Sequence, residues 1–123
     1  MPFSHAIDGR VVQVAWYGAV TAEDLAALEQ EMPVLSRGLG FAPDVLHTFD
    51  GVTSAEFSPT AAFASSRRMQ QVAIPNPIRV AMVVVTKENE FLATLFKTLN
   101  HSPSIEMKVF FEEVSARRWL ART

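Results

Sequence analysis

The sequence predicts an α/β domain: a mostly parallel sheet of about five strands carrying four helices. Three observations lead there. Strand-like and helix-like segments alternate from end to end. The first two strand segments flank Asp8-Gly9, a strong hairpin signal. Residues 78–85 form a near-continuous apolar run, the mark of a strand covered on both faces. An opening hairpin followed by βα units gives the order β-β-α-β-α-β-α-β-α.

Each element has its own local reason. Residues 3–7 read as a short strand that turns at Asp8-Gly9. Residues 10–17 are rich in β-branched and aromatic side chains, and Val12, Val14 and Trp16 share one face at period two. Gly18 breaks that pattern. Thr21 then serves as an N-cap, with Asp24 three residues on in an Asp variant of the capping box. Leu25, Leu28, Met32 and Leu35 recur at helical spacing. Pro33 is expected to kink or end this helix, and Gly38 and Gly40 suit its exit.

Residues 44–49 make the next strand, bounded by Pro43 and Asp50-Gly51. Ser58-Pro59 is the pairing of a helix start, with serine as cap and proline at the first helical position. That helix runs to about Val72. Its inward face is small (Ala62, Ser66, Met69, Ala73), so it is expected to lie close to the sheet. Pro75 and Pro77 enforce an extended turn before the buried strand. Thr86 caps the third helix, whose Phe91, Leu92, Leu95, Phe96 and Leu99 form a wide apolar stripe. Residues 107–111 are the last strand. Residues 112–122 close the chain as a helix with Val114, Ala116, Trp119 and Leu120 on its buried side.

Composition narrows the function classes. At 123 residues the chain fits one domain, residues 1–123, able to build its own core. Hydrophobic residues are 49% and charged residues 20%, which excludes a wholly disordered chain. A net charge of -2 supplies no excess of cations for a phosphate backbone, so no nucleic-acid partner is expected. With no cysteine there is no disulfide scaffold, thiol nucleophile or cysteine-ligated zinc. The N-terminal residues lack the basic start and apolar core of a signal peptide. The longest apolar run, residues 81–85, falls far short of the ~20 residues of a membrane helix. A cytoplasmic protein is the expectation. Arginine outnumbers lysine and alanine is abundant, the usage of a GC-rich bacterial genome.

Several strings, in this order, resemble the SpoIIAA-like group of the STAS superfamily, also called STAS/SEC14-like. They are VVQVAWYG followed by TAEDLAAL, the strand VLHTFDGV with a serine-capped helix after it, the strand IRVAMVVV, and the ending MKVFFEEVSARRWL. The resemblance spans nearly the whole chain. It implies a non-enzymatic domain, with no cofactor, that binds a regulatory protein or, on the SEC14-like side, a hydrophobic small molecule under a movable helix. In the anti-sigma-factor antagonists a serine in an Asp-Ser-Ser-Gly helix start is phosphorylated. Here Glu56-Phe57-Ser58-Pro59 occupies that place, and three of the four positions differ. Phe57 stands where the phosphorylated serine would be, and Ser58 is one residue on.

The candidate residues follow. Phe57, Phe63, Phe91 and Leu95 are expected to border an apolar pocket between the 53–63 region and the 88–100 helix, with that helix as lid. The plain reading of the Phe91-to-Leu99 stripe is core burial; beside the lid, a homodimer face or a filler for a partner's groove are the other readings. Ser58, Ser54 and Thr53 are the candidate phosphosites of a protein-interaction switch. A small enzyme would need His47, but Asp50 lies three residues away on the strand and so on the opposite face. His47 therefore reads as a buried, hydrogen-bonded histidine, and no catalytic residue is assigned. His5 and His101 share no ligand spacing with it, so no metal site is assigned either. Arg67-Arg68 and Arg117, Arg118 and Arg122 read as solvated helix faces.

Overall fold

The computed structural model describes residues 3–122. Nine elements follow in the expected order: β1 (Phe3–Asp8), β2 (Val11–Thr21), α1 (Ala22–Leu39), β3 (Asp44–Glu56), α2 (Pro59–Gln71), β4 (Ile78–Val83), α3 (Lys87–Leu99), β5 (Ile105–Phe110) and α4 (Glu113–Ala121). The strands lie in sequence order across one sheet. β1 pairs antiparallel with β2, and every later pair is parallel.

That order decides where the helices go. Parallel strands laid side by side in sequence need crossovers of one hand, and one hand puts every crossover helix on one face. α1, α2 and α3 accordingly cover the face carrying Val14, Trp16, Val45, His47, Val80 and Met82. α4, which follows the last strand, packs alone on the other face against Leu46, Ala81, Val83 and Phe110.

The caps form as the spacing requires. Thr21 and Asp24 make a reciprocal capping box at α1. Ser58 accepts from the Ala61 amide, and Thr86 from the Asn89 amide.

The ends expected at Pro33, Gly18 and Asp50-Gly51 are not found, and Val114 and Ala73, expected on inward helix faces, are exposed. Pro33 does not end α1, which continues to Leu39. Met32 and Leu35, on either side of it, both pack on the core, and that burial offsets the lost backbone bond. Gly18 does not end β2, and Asp50-Gly51 does not end β3. The two strands run on together to Thr21 and Glu56 through two register shifts. Gly18 takes a left-handed φ of 69° at the second shift. Opposite Tyr17, Gly51 leaves no room for a side chain: a Cβ there would sit 2.8 Å from the Tyr17 Cβ. Both glycines thus serve a bulge, not a break.

Candidate functional site

The three helices do not settle fully onto the sheet. Between them lies a cavity of about 510 Å³. Trp16, Val45, His47, Val80, Met82 and Met107 form its floor, from β2 to β5. Leu25, Leu28 and Met32 of α1, Met69 of α2 and Leu92 and Phe96 of α3 form its walls and roof. The lining residues exposed to solvent, Arg37 and Gly40 at the end of α1 and Val72, Ala73 and Pro75 after α2, mark its mouth.

Polar ties run between the roof helices. Ser65 of α2 donates to the Glu29 carboxylate of α1 at 3.2 Å, and Arg68 grips the same carboxylate at 2.7 and 3.1 Å. Ser66 and Gln70 of α2 both donate to the Leu99 carbonyl of α3. Buried Asn89 of α3 donates to the Phe49 carbonyl of β3 at 3.0 Å. These bonds tie α1 to α2, α2 to α3, and α3 to the sheet.

His47 is the one ionisable side chain on the floor. Trp16 is 5% exposed, so its indole N–H must find an acceptor. It finds His47 Nδ1 at 3.0 Å. The imidazole is flanked along the floor by the rings of Trp16 and Phe49, each with its centroid 6.2 Å away. Burial pushes its pKa down to about 4, so it is neutral near pH 7. A base that weak, with Nδ1 already engaged, is poorly suited to take protons at neutral pH.

The predicted pocket residues separate. Phe57 lines the cavity, with its ring centroid 6.1 Å from that of Phe96. Phe63, Phe91 and Leu95 lie outside the lining. Phe63 is 49% exposed beneath the Arg67 guanidinium, and Phe91 is 73% exposed. The reason is rotational. A step of one residue turns a helix face by about 100°, so α3 presents Leu92 and Phe96 to the cavity and carries Phe91 and Leu95 away from it. The 88–100 helix therefore forms an inner wall, and the exposed lining lies at the 72–75 segment and the end of α1.

The candidate hydroxyls of Thr53, Ser54 and Ser58 are all exposed, the first two on the β3 extension and the third capping α2. The basic clusters are less free than expected. Arg68 pairs with Glu29, and Arg122 reaches Asp44 at 2.7 Å from the end of α4. Arg122 and Arg117 border a second, polar cleft of about 700 Å³. Arg122 and Arg117 are paired there, Arg117 with Glu113 and Asp8, while Arg10 at the same cleft stacks over the Phe41 ring. No group of three or more metal-ligating side chains occurs among the described residues. No helix among them is long and apolar enough to cross a membrane.

Sequence reasoning missed Asn89, Glu29 and the Trp16 indole. The signal for the last was present: a tryptophan and a histidine on inward positions of two strands that the βα order makes neighbours.

Two solved structures share this architecture. An uncharacterised protein with a SpoIIAA-like fold from Shewanella loihica PV-4 aligns with a TM-score of 0.59, covering 96% of this chain and 91% of its own, at 18% identity. The anti-sigma factor antagonist SpoIIAA, in its unphosphorylated form, aligns with a TM-score of 0.55, covering 95% and 96%, at 12% identity. No protein-family profile matches the chain, and no curated protein matches it in sequence.

Proposed function

We propose that this chain, which has a SpoIIAA-like fold, is a non-catalytic binding domain that takes a small apolar molecule between the sheet and α1, α2 and α3. The observation that carries this reading is the cavity itself. At about 510 Å³ it lies within the range of small-molecule sites, and it has their character: an apolar lining with a few polar groups. A fully packed interior has few voids larger than a water molecule. The access route in this reading is the mouth at Arg37 and the 72–75 segment.

The test uses N-phenyl-1-naphthylamine, a neutral probe that brightens in apolar surroundings. Wild-type protein is expected to bind it saturably and to quench with it the emission of Trp16. Met69→Trp, which fills the roof, should reduce that binding at least tenfold while the circular dichroism of the fold is kept. Equal binding by both proteins would exclude the cavity as the site. Native mass spectrometry of the purified protein adds a second check, since a ligand retained from the host appears as mass lost on denaturation.

A second reading rests on the exposure of Thr53, Ser54 and Ser58. Here the chain is a regulatory switch that docks a protein partner. A phosphate on Ser58 would sit at the positive end of α2, where the helix dipole favours it. Intact mass from the native host would show a shift of one phosphate under this reading. Unmodified chains throughout growth would remove it. Exposed Val85, Phe111 and Val114, at the ends of β4 and β5 and the start of α4, would then be the apolar contact surface, for a partner or for a second copy.

A further inference from the structure

The geometry points to His47 Nε2–H as a fixed hydrogen-bond donor on the cavity floor, reading a neutral oxygen acceptor, such as a ketone or ester carbonyl, on the apolar ligand. The inference rests on the cavity being the binding site and names what that site selects.

The tautomer is forced. An indole nitrogen only donates, so the His47 nitrogen that meets Trp16 at 3.0 Å accepts. That nitrogen carries no proton, and the single proton of a neutral imidazole must then lie on the other one. Turning the ring over about Cβ–Cγ would put Cδ2 where Nδ1 meets the indole and lose the bond, so the ring orientation is set by the same contact.

The donor faces the cavity. His47 lines it and keeps accessible surface, although protein surrounds it on every side. Among the described residues no side chain or carbonyl accepts from Nε2. Nor is Nε2 sealed away as a buried unpaired atom, so its surface opens onto the cavity. A lone N–H on an otherwise apolar floor discriminates strongly, because a ligand without an acceptor leaves it unpaired.

The charge of the acceptor follows from the neighbours. The Glu29 carboxylate borders the same cavity, and Arg68 and Ser65 already hold it. Arg37 lines the cavity at its exposed mouth, away from the floor. The floor residues around His47 include no cation to pair with a second carboxylate, and burying an unpaired one is costly. A neutral carbonyl meets neither objection.

The experiment compares two probes of matched shape, 2-acetylnaphthalene and 2-ethylnaphthalene, on wild type and His47→Phe. Phenylalanine keeps a flat ring beside Trp16 and Phe49 but has no donor. The ratio of ketone to hydrocarbon affinity is expected to fall about five- to tenfold in the variant. In wild type labelled with [15N]histidine, the ketone should move the His47 Nε2–H resonance and the hydrocarbon should leave it nearly in place. That second measurement holds even where His47→Phe fails to fold. If both probes bind wild type while the ratio and the resonance stay unchanged, the donor assignment is overturned and the cavity reading survives. If 2-naphthoate binds more tightly than the ketone, the neutral-acceptor assignment is overturned. If no probe binds folded wild type, the cavity reading fails and this inference with it.

Discussion

The two faces of the sheet solve the same packing problem differently. On the α4 side, Leu46 and Ala81 are fully buried, and Ala116 brings α4 in close. Trp119 closes the edge, with its ring 5.6 Å from Phe110 and the Arg79 guanidinium 5.0 Å over it. One helix with a small contact residue sinks until it meets the sheet. On the opposite side three helices bond to one another through Glu29, Ser65, Ser66 and Gln70. The polar bonds between helices thus lie on the face that keeps the cavity, and the tests below ask whether those bonds or the apolar contacts set its volume.

The largest test of this contrast compares truncations on the two faces. Leu46→Ala, in the close-packed layer, should cost about 4 kcal/mol in urea unfolding. Met82→Ala, beside the cavity, should cost only about 2 kcal/mol, because the vacated volume joins space that is already there. Equal costs would mean that the two faces are packed alike.

The next test is pH. In the unfolded chain His47 binds a proton below its ordinary pKa of 6.5, and in the folded chain only below about 4. Between those values the unfolded state holds more protons, so stability rises with pH across that window. His47 imposes no penalty above pH 6.5. As pH falls toward 4 its contribution should remove about 3 kcal/mol. His47→Phe should flatten that part of the profile. An unchanged slope would mean the floor is wet enough to keep the imidazole near its ordinary pKa.

The smallest effect concerns the roof ties. Ser66→Ala removes one of two donors to the Leu99 carbonyl and should cost about 1 kcal/mol. The sharper readout is probe binding. A roof released from its tie should bind N-phenyl-1-naphthylamine more weakly, whereas unchanged affinity would show that apolar contact alone sets the cavity.

Much of this was local and so legible. Caps at Thr21, Ser58 and Thr86 depend on residues three apart, and the order of strands and helices depends on periodicity within short windows. The expected burial of Ala62, Ala116 and Leu120 came from the same short-range pattern. The site was legible only in part. Period 3.6 showed that α3 is apolar over a wide arc, but Phe91-Leu95 and Leu92-Phe96 satisfy that period equally well. Only the angle at which α3 meets the sheet decides between them.

What the sequence by itself determined is the fold, because hydrophobic period, capping and turn chemistry are short-range and all agree. Tertiary structure alone decided the rest. Pro33 stays inside a helix because burial on both sides of it outweighs one lost bond. Gly18 and Gly51 carry a bulge because two strands meet there. Trp16 and His47, 31 residues apart, become a donor and acceptor only when β2 and β3 lie side by side. The cavity and the orientation of its one imidazole are properties of those long-range meetings, which no local pattern contains.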